Sequence, residues 1–381
     1  MRIENAELHF LEIPFKLSIT HGARASRTFS DSLILRVGGK GINGYGEAVV
    51  RDYVSGSLGI GSEFHEEAAR ITADLLSSMR DREISWDECA SRLLETRCET
   101  RALPLLCAVE AACLALAAEE AGADPYAILG RPPKREVVLY GGVIPIFPLA
   151  AAGAYIDMCA KLRLPDLKVK LGADPAYNEA ILALCRERLG PEWDIRVDAN
   201  GAWTALDAEA QAAICQRFGV HIVEQPFPVS LTDREAGLEV LDRYGCLAMA
   251  DEGVLTSEDV RRIAASPHLQ MLNLRLSKNG GLSRLLSLAA EADAAGLGYQ
   301  LGCMVGETGV LSCLGRLAAS LLPHPTYVEG GYEEILLESN ITVPGFPFGT
   351  EGKGPIVRGK GMGYRVDETA LARLSRARKV V

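Results

Sequence analysis

Six charged side chains stand at the ends of otherwise apolar runs: Lys168 and Lys170 in LKVKLG, Asp198 in IRVDAN, Glu224 in IVEQPF, Asp251 in AMADEG and Lys278 in LRLSKNGG. Such positions are costly for a charge unless it is paired or holds a metal. From Lys170 onward the intervals are 28, 26, 27 and 27 residues, each about one strand, loop, helix and return. Three carboxylates converging from neighbouring strands must take a cation or hold protons. Oxygen-only donors select Mg²⁺, with Mn²⁺ or Ca²⁺ as substitutes, over Zn²⁺, and Mg²⁺ leaves positions for substrate oxygens. Strand alternation turns Lys168 and Lys170 to one face, while Lys278 comes from a strand across the barrel. This set suits removal of a weakly acidic proton α to a carboxylate: the metal stabilises charge on the carboxylate oxygens, one lysine acts as base, and Lys168 tunes it. Singly, each piece is bland, since KxK is commonly a strand edge, DxN a turn and Asp251-Glu252 surface. The joint spacing carries the reading.

The elements that must position these residues are legible as an alternation. Residues 1 to about 60 carry strand-like runs at Ile3 to Ile13, Ser32 to Val37 and Gly44 to Val49, and the pattern turns helical from Ser62 to about Glu120. The Gly130-Arg131-Pro132-Pro133 break ends this first α+β region. Beyond it, strands are predicted near 137–142, 166–170, 194–198, 220–224, 247–250, 270–276, 298–303 and 326–329. Helix starts fall at Asp174-Pro175 and at Thr256-Ser257-Glu258-Asp259. Eight βα alternations predict an α/β fold with a closed parallel barrel whose C-terminal mouth gathers the charges; an open doubly wound sheet is the alternative. The expected division is an α+β capping domain over 1–130, completed by 333–381, and a barrel over 131–332. GGKGINGYG reads as a hairpin, because no helix follows to bind phosphate.

At these residues the chain resembles the enolase superfamily, in its muconate-lactonizing-enzyme-like subgroup. The pattern is KxK on the second strand, D, E and D on the third, fourth and fifth, and K before GG on the sixth; Gly280-Gly281 supplies the glycines. The resemblance implies a modified (β/α)7β barrel with an N-terminal cap whose loops choose the substrate, Lys168, Lys170 and Lys278 as catalytic residues, and Asp198, Glu224 and Asp251 as Mg²⁺ ligands. Asn200, Glu252 and Glu307 are further site candidates, as are Arg24, Arg27 and Tyr53 on the capping loops. The His-Asp arrangement of mandelate-racemase-like relatives has no counterpart; His221 is three positions from Glu224 and faces away. Dipeptide epimerases of this subgroup carry an aspartate pair on the eighth strand, where YVEGGYEE stands here.

The expected activity is racemisation or epimerisation of an amino-acid derivative or related small acid through an enediolate, with Lys170 and Lys278 on opposite faces of one carbon. The alternatives are a cycloisomerase or a dehydratase, and then a non-catalytic metal-binding relative. The partner is a small carboxylate, and the resemblance implies a homo-oligomer. A net charge of -10 argues against a nucleic-acid partner. The ten cysteines, without a CxxC pair, read as reduced core thiols. No signal peptide and no membrane-length apolar stretch is read, so the expected location is cytoplasmic.

Overall fold

The computed structural model describes residues 1–19 and 27–381. Near the N-terminus, strands Asn5–Leu11, Leu33–Gly39 and Ile42–Ala48 form an antiparallel sheet, joined on the outer side of Asn5–Leu11 by the C-terminal strand Ser375–Val380. The hairpin expected in GGKGINGYG is present, turning at Lys40 and Gly41 with φ of 52° and 80°, the paired positive values of a tight hairpin turn. Gly44 and Gly46 let the helix Leu103–Ala121 lie directly on this sheet. A Cβ at either would sit 2.1 Å from Ala112 O or 1.9 Å from Ala108 O. The segment Thr100–Ala121 is long and apolar enough to cross a membrane, contrary to the sequence expectation, and it is buried here as a core helix.

Seven parallel strands run in sequence order around the second sheet: Gly142–Ile144, Asp166–Lys170, Asp194–Asp198, Ile222–Glu224, Leu247–Ala250, Leu269–Arg275 and Gly298–Gly302. We number these as barrel strands one to seven. Residues 327–329 fill the eighth place: Leu301 N donates to Tyr327 O at 3.0 Å, and Gly141 N donates to Val328 O at 3.0 Å, joining the last strand to the first. Helix starts follow the sequence signals, with Asp174 accepting from Ala176 N and a reciprocal capping box between Thr256 and Asp259.

Two boundaries depart from expectation. Val137–Leu139 is not a barrel strand; it pairs antiparallel with Lys353–Pro355, and the barrel begins only after Gly141. Lys278 lies not on the sixth strand but in the one-turn helix Leu276–Asn279 that follows it.

Two buried carboxylates join the N-terminal sheet and helix to the barrel helices. Glu47 accepts from Thr308 N at 2.8 Å, Thr308 Oγ at 2.7 Å and Leu311 N at 3.0 Å, at the start of helix Gly309–Leu321. Glu110 accepts from Ser283 N at 3.0 Å, at the start of helix Leu282–Ala294. Both satisfy helix N–H groups that have no partner within their own helix.

Candidate active site

The barrel interior is polar where many barrels pack branched apolar side chains. Register sets this up: Lys168 pairs with Arg196, Lys170 with Asp198, and Asp198 with Glu224 on adjacent strands. The inward positions then carry Lys168, Arg196, Asp198, Glu224, Asn273, Gln300 and Glu329, all of them buried.

Charges are met locally. Lys168 Nζ donates to Glu224 at 3.1 Å and to Glu329 at 2.8 Å, and lies 3.6 Å from Asp198. Burial opposes its charge, yet Glu224, Glu329 and Asp198 hold the ammonium above its ordinary range. Lys170 Nζ donates to Asp198 Oδ2 at 2.8 Å and to Asn200 Oδ1 at 2.7 Å. Lys278 spends all three N–H groups on Asp251 O, Asp251 Oδ1 and Asn273 O, at 2.7, 2.8 and 2.7 Å. Burial pushes its pKa down, against the pull of Asp251. Burial raises Asp198, reinforced by Glu224; burial acts on Glu224 too, but Lys168 and Arg275 outweigh it and hold that carboxyl low.

The residues behind these contacts include four that the sequence reading did not single out. Glu329 on the eighth strand takes Lys168 on one side and Arg196 Nη2 at 2.8 Å on the other. Arg196 also pairs with Asp166. Arg275 Nη2 pairs with Asp251 and lies 3.3 Å from Glu224 Oε1. A signal was available: Arg196 is two residues before Asp198, Asp166 two before Lys168, and Arg275 two after Asn273, so alternation alone puts each on an inward face.

Backbone geometry just beyond the carboxylates is unusual. Asn200 and Gln225, two residues after Asp198 and one after Glu224, have φ of 46° and 38°, a conformation that side chains other than glycine rarely adopt and that clusters at functional sites. Asn200 N donates to Asp198 Oδ1 at 2.9 Å, and Gln225 Oε1 accepts from Asp251 N at 2.9 Å. Each bent residue thus braces one of the carboxylates.

A cavity of about 1290 Å³, including its open mouth, reaches this cluster. Lys168, Lys170, Asn200, Glu252, Arg275, Glu307, Glu329 and Tyr53 all line it. Lys278, Asp198, Glu224 and Asp251 do not line it; Arg275, which does, pairs with Asp251. Glu252 is pushed up to about 7 by burial and by Asp251 and Asp198. Glu307 is pushed up to about 8, chiefly by burial, although Met304 N donates to it at 2.5 Å. Its loop is held from the N-terminal side: Ser30 and Ser32 donate to Gly306 O at 2.5 and 3.0 Å, and Arg51 to Val305 O at 2.9 Å. Arg27 is tied to Asp31 at 2.9 Å and does not line the cavity; Arg24 lies outside the described residues. His221 is exposed on the outer surface.

The chemistry of the donor set fits a hard divalent cation. Three carboxylates face one cluster without nitrogen or sulfur donors. Among the described residues no three acidic, histidine or cysteine side chains are already gathered as an ion cradle, because each carboxylate leans on a lysine or on Arg275.

The enolase C-terminal domain-like family matches residues 152–370, more than half of the chain. The chain belongs to the enolase superfamily. Within it, the chain is 27% identical to the chloromuconate cycloisomerase of Cupriavidus pinatubonensis over 369 residues, covering 94% of this chain and 89% of that one. Two curated epimerases match at 30% identity, and there the chain spans 45% of their length. In fold, this superfamily member is similar to the N-succinyl Arg/Lys racemase of Bacillus cereus (TM-score 0.86, 21% identity, 100% of both chains). It is also similar to a dipeptide epimerase of Enterococcus faecalis complexed with Mg and the dipeptide L-Leu-L-Tyr (TM-score 0.79, 21% identity, 96% and 99% of the chains). These likenesses establish the modified barrel with its N-terminal α+β region.

Proposed function

We propose that this enolase-superfamily protein abstracts a proton α to a substrate carboxylate and returns one, racemising or epimerising an amino-acid derivative or related small acid. The observation that carries the reading is the placement of two lysines on two different carboxylates of one cluster: Lys170 on Asp198 and Lys278 on Asp251. Lys168, held charged by three carboxylates, binds and polarises the substrate carboxylate. Lys170, on the cavity wall, takes the α proton as the neutral amine, and Asp198 and Asn200, which accept from its Nζ, stabilise the ammonium that results. Lys278, whose charge burial disfavours, serves the opposite face. Asp198, Glu224 and Asp251 would hold Mg²⁺, with Mn²⁺ as a substitute, and the ion would supply electrostatic stabilisation of charge developing on the carboxylate oxygens.

A second reading is a cycloisomerase or dehydratase, in which one lysine moves the proton and the other acts through its charge. That Lys170 lines the cavity and Lys278 does not favours it. We further assign residues 1–130 with 333–381 to a cap and 131–332 to the barrel, and propose a cytoplasmic homo-oligomer acting on small molecules, without a nucleic-acid or membrane partner. The test is α-proton exchange in D₂O with Mg²⁺ over N-acylated amino acids, dipeptides and small hydroxy acids. Deuterium entering both antipodes, lost for opposite antipodes in Lys170→Ala and Lys278→Ala, supports racemisation. Loss of water or ring closure supports the second reading. No exchange despite Mg²⁺ binding would overturn both, in favour of a non-catalytic relative.

A further inference from the structure

Of Asp198, Glu224 and Asp251, only Glu224 is met on both oxygens by neutral side-chain amides among the described residues. Asn273 Nδ2 donates to its Oε1 at 2.6 Å and Gln300 Nε2 to its Oε2 at 2.9 Å. Asp198 is met instead by Lys170, by Lys168 at 3.6 Å and by Asn200 N, and Asp251 by Lys278 and Arg275. The two amides are register partners on barrel strands six and seven, and both are fully buried. Gly302 leaves room for one of them, since a Cβ there would sit 2.3 Å from Asn273 Oδ1. Neither amide lines the cavity, so each acts on Glu224 and on nothing held in front of it.

A carboxylate has about four lone-pair sites to offer. Lys168 at 3.1 Å takes a second place on Oε2, and Arg275 at 3.3 Å a second place on Oε1. An arriving cation repels these two charged donors and leaves the neutral amides where they are. Arg275 stands farthest off and is the donor that yields. Lys168 is held back by Glu329, to which it donates at 2.8 Å. Oε1 can therefore open, while Gln300 and Lys168 together keep Oε2 closed. The amides do this at a cost to themselves: Asn273 Oδ1 and Gln300 Oε1 find no donor among the described residues, a burial penalty that an apolar side chain of similar shape would not carry.

We propose that Gln300 is a positioning residue: with Lys168 it closes Oε2 of Glu224, so that a cation meets Oε1 alone and the site takes Mg²⁺ in preference to Ca²⁺. Ca²⁺ gathers about six to eight oxygens and often takes a carboxylate by both of them, whereas the smaller Mg²⁺ demands near-octahedral geometry and keeps several waters. A carboxylate confined to one oxygen suits the second ion and handicaps the first. Asn273 fixes the plane of the same carboxylate, and its backbone O accepts from Lys278 at 2.7 Å. This rests on the reading of Glu224 as a cation ligand and deepens it.

The experiment titrates Mg²⁺ and Ca²⁺ separately, by calorimetry, into the full chain as wild type, Gln300→Met, Gln300→Ala and Gln211→Met. Gln300→Met keeps the length of the side chain and removes its donor; Gln300→Ala carries the test if Gln300→Met does not fold. Gln211 is the control, a fully buried amide whose hydrogen bonds go to Asn178 and to Ala173 O rather than to the carboxylates. Affinity for Ca²⁺ relative to Mg²⁺ is expected to rise about tenfold in the Gln300 variants and to stay unchanged in Gln211→Met. A loss shared equally by the two ions is what a merely structural amide would give, and it overturns the proposal. So does a rise in Gln211→Met as large as in the Gln300 variants. If the wild type binds neither ion, the cation reading of Glu224 falls and the proposal with it; wild-type binding with an unmoved ratio in the variants overturns the proposal alone.

Discussion

Glu329→Gln tests the buried charge network most sharply. The substitution keeps the side-chain shape and removes one negative charge that two cations share: Lys168 at 2.8 Å and Arg196 at 2.8 Å, with Glu329 5% exposed and its partners at 2% and 1%. Breaking a buried pair by removing one partner costs about 3–5 kcal/mol, because the charge left behind has lost its compensation. Lys168 keeps Glu224 at 3.1 Å and Arg196 keeps Asp166, which places the expectation at the lower end, about 3 kcal/mol. Lys168→Met should cost a similar amount, since it strips a cation from Glu224 and Glu329 together. The double variant removes both members of the Lys168–Glu329 pair, so its loss should fall short of the sum by roughly 2 kcal/mol, within the range for directly contacting charges. Urea unfolding monitored by tryptophan fluorescence, with all four proteins at one Mg²⁺ concentration, measures the cycle. Additivity within about 0.5 kcal/mol, or a single-variant loss below about 1 kcal/mol, would refute the network as described.

Three further outcomes are expected. Glu47→Ala should lower stability by roughly 3–5 kcal/mol, read as a fall in urea midpoint, because three donors at the start of helix Gly309–Leu321 lose their acceptor; a shift as small as that of an exposed Glu→Ala control would contradict it. Glu307 has a folded pKa of about 8, above its ordinary value, so its stabilising contribution is complete below the unfolded value near 4.5 and is lost as pH rises through 8. Melting temperature should therefore fall more between pH 5 and 9 in the wild type than in Glu307→Gln, and parallel curves would exclude this. Arg275→Met removes the guanidinium shared by Glu224 and Asp251 and should tighten Mg²⁺ binding about tenfold or more by calorimetry; unchanged or weaker binding would show that the guanidinium does not compete for those carboxylates.

How much of this was legible in the sequence follows from periodicity. Lys170, Asp198, Glu224 and Asp251 could be placed because each βα unit returns the chain to the same mouth after a near-constant interval. The interval cannot show what a side chain does once it arrives. Lys278 keeps the spacing yet sits in a helical turn after the strand and does not line the cavity. Val137–Leu139 has the composition of a barrel strand, and its true partner, Lys353–Pro355, lies more than two hundred residues away; no local pattern encodes a pairing at that distance. The arginines of the capping segment read equally well as substrate ligands or as surface charge. Arg27 turned to Asp31, a residue only four positions on, which shows how a local ion pair can absorb a side chain that spacing leaves open.

The caps supplied by Glu47 and Glu110 have a consequence for engineering. Two barrel helices begin on acceptors that belong to the N-terminal sheet and to the helix lying on it. A barrel expressed alone would carry both helix starts without those acceptors, and a chimera that replaces the whole N-terminal region would need to bring two carboxylates to the same places. Exchange of N-terminal loops between relatives is thus best confined to the segment before Phe29 and to the turn around Tyr53. Glu47 and Glu110 then stay with the barrel helices they complete.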